Sequence, residues 1–288
     1  EKILTEAKYL GAKYLHISGG EPLLYKQLLE LVKIGKDIGY HVNLNTNGYI
    51  LTSNCINNLS EYKLDSITIS LYSHNIKIHN RIKNINDDNS NLRTTMILLK
   101  KSSIDLYLQT IMTNYNIRVF DVFLQYISQF KPEILFISFL EGLHRYINRF
   151  EPSIEDINYF IADVLPRCIN FINNTNKEKQ SKSRKLQMKK IAKNLILLKS
   201  GKGGDYPCKY NRTMCIILAN GDVHSCSAIE YYHYPTIGNL LKNNLSDLLR
   251  TDKWQRIRAK CPGWCKHCPM KYHVNLPFNE GKKNNLVD

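Results

Sequence analysis

The stretch Tyr14-Leu-His-Ile-Ser-Gly-Gly-Glu-Pro-Leu-Leu24 decides the fold of the first half of the chain. A short run of strand-forming residues ends at two glycines and a proline, which is the order typical of a strand followed by a turn. Four similar runs follow it in the sequence: His41–Thr46, Ser66–Leu71, Asp105–Met112 and Ile134–Leu140. Helix-length stretches separate these runs: Tyr25–Ile38, Asn54–Tyr62, Leu92–Ser102 and Ile117–Phe130. This alternation predicts a parallel sheet, because parallel neighbours need long crossover connections.

The alternation further predicts where the chemistry lies. One more βα unit upstream would complete a partial or full βα barrel of six strands. In such barrels the functional residues follow the carboxyl ends of the strands. The residues Glu1–Leu10 already have the pattern of a helix interior, so we expect the natural N-terminus to lie upstream of Glu1.

Composition limits the class of protein. The chain has 288 residues, 43% of them hydrophobic, which is enough apolar material for one large domain or two modest ones. This composition excludes a disordered chain, a collagen and a disulfide mini-protein. No apolar run approaches the roughly eighteen residues of a membrane-spanning helix. We therefore expect a cytoplasmic protein with no membrane partner.

The positive charge is concentrated in one segment. The formal net charge is +15, and the segment from Lys177 to Lys202 holds ten Lys or Arg residues and one Glu. One interpretation is a solvated helix, and the other is a surface for an acidic partner such as tRNA or an acidic peptide. No RNA-binding motif accompanies the segment, so a nucleic acid partner is possible but not favoured.

The cysteines fall into two groups. Cys55 and Cys168 are isolated, and we interpret them as inert buried thiols. The other six lie near the C-terminus: Cys208, Cys215, Cys226, Cys261, Cys265 and Cys268. Because the chain lacks features of a secreted protein, this clustering favours metal ligation over disulfides.

The spacing of these cysteines indicates a four-thiolate site. Cys265 and Cys268 form a C-x2-C pair, while Cys208 and Cys226 bracket a hairpin signal at Asn220-Gly221. Four converging thiolates suit a [4Fe–4S] cluster or a structural Zn²⁺, and spacing alone leaves both open. Two neighbouring thiols, Cys261 and Cys215, could each replace one of the four or remain free.

The remaining segments complete a four-part domain prediction. We expect a barrel over 1–150, a helical basic connection over 151–203, a cysteine-rich domain over 204–275 and a tail over 276–288. Ser153 is a candidate helix N-cap, and Asn173–Arg184 has the polar composition of a mobile connection. Leu245–Arg258 returns to a helical pattern.

The stretch around Gly19-Gly20-Glu21-Pro22 resembles the second strand and following loop of radical S-adenosylmethionine (SAM) enzymes, whose GGEP motif binds the amino group of SAM. Thr46-Asn47-Gly48 ends the next strand as in that family, and Ser70 ends the following one, where the family often places a polar contact to SAM. His79 and Arg81 resemble the family's His-Asp-x-x-Arg segment, with Asn80 for Asp and a spacing one residue shorter. The resemblance implies a set of SAM-binding residues: Gly19, Gly20, Glu21, Pro22, Asn47, Ser70 and Arg81. It assigns no catalytic side chain.

One departure from that family is serious. In that family a C-x3-C-x2-C loop after the first strand holds, through its thiolates, the [4Fe–4S] cluster that binds and reduces SAM, and no such loop stands at that place in this sequence. We interpret the chain as lacking upstream residues that carry this loop, from which a second [4Fe–4S] cluster is expected. Without them, the chain should not cleave SAM.

The C-terminal cysteine block resembles the SPASM/twitch auxiliary-cluster domain that follows many radical SAM barrels. Gly221-x4-Cys226 matches its G-x4-C element, and Cys208 precedes Gly221 at a permitted spacing. Ile237–Leu240, Leu245 and Trp254-x3-Arg258 match its GN(I/L) strand and helix. This resemblance favours iron–sulfur over zinc. Because no cysteine follows Cys268, the one-cluster twitch version is the nearer match.

The expected fold class is therefore α/β: a partial (βα)6-type barrel followed by a small cysteine-rich α+β domain with a β-hairpin and a helix. The resemblance implies a 5′-deoxyadenosyl radical that abstracts hydrogen from a peptide or protein substrate, with an electron donor of the flavodoxin or ferredoxin type. Two alternatives stay open. One is a radical SAM enzyme acting on tRNA or a small molecule, and the other is a non-catalytic metal-binding relative.

Overall fold

The chain forms two sheets of unequal size. The computed structural model describes residues 1–86, 90–139, 148–175, 178–200, 213–226, 236–259 and 274–278. The strands are β1 Tyr14–Ile17, β2 His41–Thr46, β3 Ser66–Ser70, β4 Asp105–Met112, β5 Ile134–Phe139, β6 Ile216–Ile217, β7 Asp222–His224, β8 Gly238–Asn239 and β9 Val274–Pro277. The larger sheet has the order β1-β2-β3-β4-β5-β9, and the smaller sheet has the order β6-β7-β8.

Helices connect the strands and cover one face of the larger sheet. The described helices are α1 Lys2–Tyr9, α2 Leu28–Asp37, α3 Ser53–Glu61, α4 Ile76–Lys83, α5 Ser90–Lys101, α6 Phe120–Ser128, α7 Ile154–Tyr159, α8 Leu165–Thr175, α9 Glu178–Lys199, α10 Leu245–Arg250 and α11 Asp252–Ala259. Strands β1 to β5 are parallel, so the predicted α/β fold with a parallel sheet is confirmed. No helix in the described part of the chain is long and apolar enough to cross a bilayer.

The two faces of the larger sheet differ in polarity. One face carries the apolar side chains that pack against the helices, such as Leu44, Ile67 and Leu108, all at 0% exposure. The strand register places the polar residues of neighbouring strands side by side on the other face, with His16 beside Asn43 and Asn43 beside Ser66. The sheet therefore has an apolar core face and a second face that carries polar side chains.

Strand β9 revises the predicted domain boundary at 275/276. Val274–Pro277 pairs with β5 in antiparallel register, opposite Ile134–Ile137. Val274 and Leu276 are both buried at 1% exposure against the core face of the sheet. The chain thus adds an edge strand to the first sheet across the predicted boundary, and the rest of the predicted tail lies outside the described residues.

Two helical predictions also need revision. Asn173–Arg184 is mostly helical, because α8 continues to Thr175 and α9 begins at Glu178. The Arg184 guanidinium is buried, lies over the Phe278 ring at 5.4 Å and donates to the Phe278 carbonyl oxygen. The predicted helix Leu245–Arg258 is two helices, which meet at Thr251.

The basic segment forms most of α9. Lys189, Lys190 and Lys193 are exposed on one side of this helix, and Met188 and Ile191 are buried on the other at 0% exposure. This arrangement is that of an amphipathic helix with a solvated basic face.

The smaller sheet is joined to the barrel through α1. Both oxygens of the Glu6 carboxylate accept backbone N–H groups at the start of α10, from Ser246 at 2.7 Å and from Leu245 at 3.1 Å. Lys2 Nζ donates to Asn244 Oδ1 at 3.1 Å. Ala7 packs against the small apolar cluster of this region. The first helix of the barrel therefore caps a helix of the C-terminal domain.

Candidate functional site

The loops after β1 and β2 are tied together by one carboxylate. Glu21 Oε1 accepts from Thr46 Oγ1 at 2.6 Å and from the Leu23 backbone N–H at 3.1 Å. Glu21 Oε2 accepts from the Asn47 backbone N–H at 2.9 Å. Three of the roughly four acceptor positions of a carboxylate are thus used within the protein. Glu21 and Asn47, which are both in the predicted SAM-binding set, therefore lie together. The Glu21 carboxylate holds the two loops in position.

The backbone of Gly19 and Gly20 is the open part of this loop. Gly19 has φ +148°, which an L side chain rarely adopts. No described atom lies within 4 Å of the position where a Cβ would stand on either glycine. Pro22 is buried and begins the short 3₁₀ turn after Glu21. A ligand could therefore approach this backbone directly.

The turn after β2 is compact and needs its glycine. Asn47 Oδ1 accepts from the Tyr49 N–H at 2.9 Å, and Thr46 Oγ1 accepts from the Gly48 N–H at 3.1 Å. Gly48 has φ +80°, and a Cβ at this residue would lie 2.8 Å from Leu92 Cδ1. The sequence Thr-Asn-Gly thus folds into a turn that packs directly onto α5.

His79 connects the loops after β2 and β3. Its Nδ1 accepts the backbone N–H of Tyr72 at 3.2 Å, so the ring proton is on Nε2, which donates to Tyr49 Oη at 3.0 Å. The His79 ring also stacks on Tyr72 with centroids 5.6 Å apart. Burial, with a smaller contribution from the nearby Lys83 cation, lowers the pKa of His79 to about 4. His79 is therefore neutral at physiological pH and holds the two loops in place.

The two basic residues of this segment have different environments. The Arg81 guanidinium is exposed and lies over the Tyr115 ring at 4.4 Å, next to the loop that follows β4. Lys83 Nζ lies over the Tyr49 ring at 4.7 Å. Sequence reasoning missed Lys83, although His-Asp-x-x-Arg counted from His79 without a gap puts the basic residue at Lys83. That spacing was the available signal.

The carboxyl ends of β3 and β4 are joined by Asn116. Its Nδ2 donates to the carbonyl oxygens of Tyr72 and Ile111, both at 2.8 Å, and its Oδ1 accepts from the Thr113 N–H at 2.8 Å. Asn116 is 2% exposed. Ser70, at the end of β3, is partly buried and lies beside Gln109 of β4. Four loops therefore converge at one edge of the sheet and are fixed there by hydrogen bonds.

Only part of the predicted metal site lies within the described residues. Cys208, Cys261, Cys265 and Cys268 lie outside them. Within the described residues, no group of three or more His, Cys, Asp or Glu is arranged to hold a metal ion. The ligand assignment therefore stays a prediction, and the description is limited to Cys215 and Cys226.

The hairpin brings Cys215 and Cys226 to its open end. β6 pairs with β7 so that Ile216 lies opposite His224. Extending that register by one residue puts Cys215 opposite Ser225, directly before Cys226. Gly221 turns the hairpin with φ +85°, which confirms the predicted turn. Sequence reasoning kept Cys215 only as a substitute, but the register places it next to the predicted ligand.

The chemistry of this hairpin end fits a thiolate-bound cluster. Cys226 is 5% exposed, and the adjacent Ser225 Oγ is buried without a hydrogen-bond partner among the described residues. Neighbouring atoms raise the pKa of the Cys215 thiol although its side chain is exposed, so metal binding would have to displace its proton. A buried hydroxyl beside the thiols suits a group with acceptor atoms, such as sulfide.

The two other cysteines are in the barrel and away from this hairpin. Burial raises the pKa of the Cys55 thiol and, more strongly, that of Cys168. Both thiols are therefore protonated at neutral pH. This agrees with the interpretation that they are inert.

The site thus combines a parallel α/β sheet, a glycine-rich loop held at its carboxyl edge and a cysteine-bearing hairpin. The family model "Radical SAM superfamily" matches residues 1–127, and the model "Iron-sulfur cluster-binding domain", SPASM, matches residues 208–269. The chain therefore carries a radical SAM domain followed by a SPASM domain. Members of this superfamily are enzymes, and its cofactors are SAM and iron–sulfur clusters.

Solved structures share the fold of this chain. SuiB from Streptococcus suis bound to S-adenosylmethionine superposes with a TM-score of 0.66 at 15% identity, over 94% of this chain and 62% of that chain. SuiB bound to the precursor peptide SuiA superposes with a TM-score of 0.64 at 15% identity, over 94% of this chain and 62% of that chain. Native anSMEcpe with bound AdoMet and Cp18Cys peptide superposes with a TM-score of 0.57 at 17% identity, over 94% of this chain and 77% of that chain. The chain thus spans less than two thirds of the length of SuiB.

Proposed function

We propose that the protein is a radical SAM enzyme that modifies a peptide or protein substrate, with an auxiliary [4Fe–4S] cluster in its SPASM domain. The observation that carries this proposal is the convergence of four loops at the carboxyl edge of the sheet around the open backbone of Gly19-Gly20. In this proposal the backbone at Gly19 and Gly20 meets the amino group of SAM, and Glu21 holds that backbone in place. Asn47, Ser70 and Arg81 complete the SAM-binding edge.

The polar face of the sheet supports a peptide substrate over a nucleotide. Strands β1 to β5 place no Lys or Arg side chain on that face, whereas phosphate recognition in proteins uses such cations. The residues of that face nearest the carboxyl ends of β2 to β5 are uncharged: Asn45, Ser70, Ile111 and Ser138. Two of the neighbours named above are structures with bound peptide, which agrees with this substrate class.

The chemistry would be divided between cofactor and protein. The bound cluster and SAM together supply a radical that removes a hydrogen atom from the substrate. The protein holds SAM at the carboxyl edge and orients the substrate on the polar face. Cys208, Cys226, Cys265 and Cys268 would hold the auxiliary cluster, with Cys215 or Cys261 in place of one of them. An electron donor of the flavodoxin or ferredoxin type would complete the system.

The first test is the native N-terminus, by intact mass and peptide mapping of the protein from its own source. The proposal expects upstream residues carrying a C-x3-C-x2-C loop. A native chain that begins near Glu1 would favour the non-catalytic metal-binding alternative.

The second test is SAM affinity of the complete protein by calorimetry. We expect Glu21→Ala to weaken SAM binding about 10-fold or more, because three hydrogen bonds that shape the loop are lost. Glu30→Gln, on the exposed side of α2, is the control and should bind SAM like the wild type. Equal affinities for Glu21→Ala and the wild type would remove this loop from the site. Anaerobic reconstitution tests the auxiliary cluster of the SPASM domain. Binding of zinc in place of iron and sulfide would refute that cluster.

A further inference from the structure

A chain of hydrogen bonds crosses three strands on the polar face of the larger sheet. Asn43 Nδ2 donates to Ser66 Oγ at 2.8 Å and to Thr68 Oγ1 at 3.1 Å. Asn43 Oδ1 accepts from Thr68 Oγ1 at 3.2 Å and also lies 3.4 Å from His16 Nδ1. None of these four residues belongs to the SAM-binding set or to the cysteine block. Their roles are therefore unassigned.

The hydrogen bonds determine which nitrogen of His16 carries the proton. Asn43 Oδ1 can only accept, so His16 Nδ1 must donate to it. The protein atoms packed around His16, and to a smaller extent the nearby His41, lower its pKa although part of the side chain is open to solvent, so the ring is neutral at physiological pH. A neutral imidazole with its proton on Nδ1 has a lone pair on Nε2. The sheet thus holds the ring so that Nε2 is a hydrogen-bond acceptor.

The surroundings of His16 suit an uncharged donor. The side chain is exposed on the polar face of β1, while its neighbours Asn43 and Thr68 are buried. No cation from β1 to β5 lies on this face, and phosphate oxygens, which only accept, would meet an acceptor in Nε2. A peptide N–H, a side-chain amide or a hydroxyl would be matched instead.

We propose that His16 is a substrate-positioning residue whose Nε2 accepts a hydrogen bond from an uncharged peptide N–H, amide or hydroxyl of the substrate. Asn43 in turn positions His16, because its hydrogen bond with Nδ1 fixes the tautomer of the His16 ring. This inference rests on the proposed function, since it places the peptide on the polar face. It goes further by naming the group that is recognised and the atom that recognises it.

The experiment uses the complete protein with SAM, labelled with ¹⁵N-histidine, and N-acetyl-serine amide as the uncharged probe. We expect two-bond ¹H–¹⁵N spectra at neutral pH to show His16 as the Nδ1–H tautomer. Addition of the probe should shift the Nε2 resonance in a saturable way, whereas sulfate, which has only acceptor oxygens, should leave it unchanged. An Nε2–H tautomer, or an equal shift with sulfate, would overturn the proposal.

Matched variants separate positioning from folding. The short amide of His16→Asn can keep the hydrogen bond to Asn43 but places nothing at Nε2, so probe binding should weaken about 5-fold. His16→Gln carries an acceptor near the position of Nε2 and should retain most of the affinity. His41→Gln, at the start of β2, is the control. Equal probe affinity in His16→Asn and the wild type would refute the role of Nε2.

The same samples distinguish this inference from the proposed function. SAM affinity is measured in each sample, and it should be equal in the wild type and all three variants. Failure of every sample to bind SAM would count against the proposed function, while the tautomer and the probe shift would still decide the role of His16.

Discussion

The carboxyl edge of the barrel and the cysteine-bearing hairpin are supported in different ways. At the edge, side chains such as Glu21, His79 and Asn116 fix the loops by hydrogen bonds within the protein. The described apolar core of the C-terminal domain has only five buried residues: Val223, Ile237, Leu245, Leu248 and Trp254. Domains with a small apolar core usually depend on metal or disulfides. The first region is therefore shaped by contacts within the protein, whereas we expect the second to depend on its proposed cluster.

The largest effect should come from removing the auxiliary cluster. Cys226→Ala should leave the small apolar core without its metal, and the domain should unfold locally while the barrel stays folded. We expect hydrogen exchange of the β7 amides to rise about 100-fold or more, with β4 unchanged. Cys55→Ala, which removes a partly buried thiol of the barrel, is the control. Full protection of β7 in the Cys226 variant would show that the hairpin does not need the cluster.

Acid should instead test the barrel edge through His79. Its pKa is lowered from 6.5 to about 4 in the folded protein, so the unfolded chain binds more protons between these values. The stabilisation is complete above pH 6.5 and is lost as the pH falls through about 4. The loss should be about 3 kcal/mol, measured by urea unfolding at a series of pH values. His79→Gln should remove this part of the pH dependence, and an unchanged profile would contradict the buried neutral state.

Two glycines at the same edge should respond oppositely. Gly48 has φ +80°, and a Cβ at this position would lie 2.8 Å from Leu92 Cδ1. Gly48→Ala should therefore lower the free energy of unfolding by about 2 kcal/mol. Gly20→Ala meets no atom within 4 Å, so its stability should be unchanged while its SAM affinity falls. Thermal unfolding and calorimetry on both variants separate structure from binding. Loss of stability in Gly20→Ala would mean that this glycine serves the fold alone.

The sequence predicted much of the edge, because its signals are local. The period of the apolar residues located the five parallel strands, and the Gly-Gly-Glu-Pro and Thr-Asn-Gly turns marked the loops after two of them. The Glu21 contacts with Thr46 and Asn47 depend on the register of β1 against β2. A local pattern does not encode that register.

Features that join distant parts of the chain could not be predicted. Strand β9 pairs with β5 although they are far apart in sequence, and its four residues have no distinctive pattern. The contact between Glu6 and α10 is equally remote in sequence. Helix α4 was missed because its polar composition hides its apolar positions, and Lys83 was missed with it. Long-range pairing is thus the main limit of the sequence prediction.

The smallest effect should arise where the two regions meet, at Glu6. Hydrogen bonds from Ser246 and Leu245 lower the pKa of Glu6 from its usual value of 4.5, so the folded state binds fewer protons than the unfolded state near that pH. The contact should be complete above pH 4.5 and be lost as the pH falls through the lowered value. Glu6→Gln leaves one carboxamide oxygen to accept and replaces the other with a donor.

Amide exchange measures this joint directly. We expect the Ser246 amide to exchange about 3-fold faster in Glu6→Gln at neutral pH, with the β7 amides unaffected while the cluster is bound. Glu1→Gln on the same helix is the matched control. If β7 lost protection together with Ser246, the hairpin would depend on the barrel as well as on its cluster. Unchanged exchange at both places would mean that the contacts of Ala7 and Lys2 hold the two regions together without Glu6.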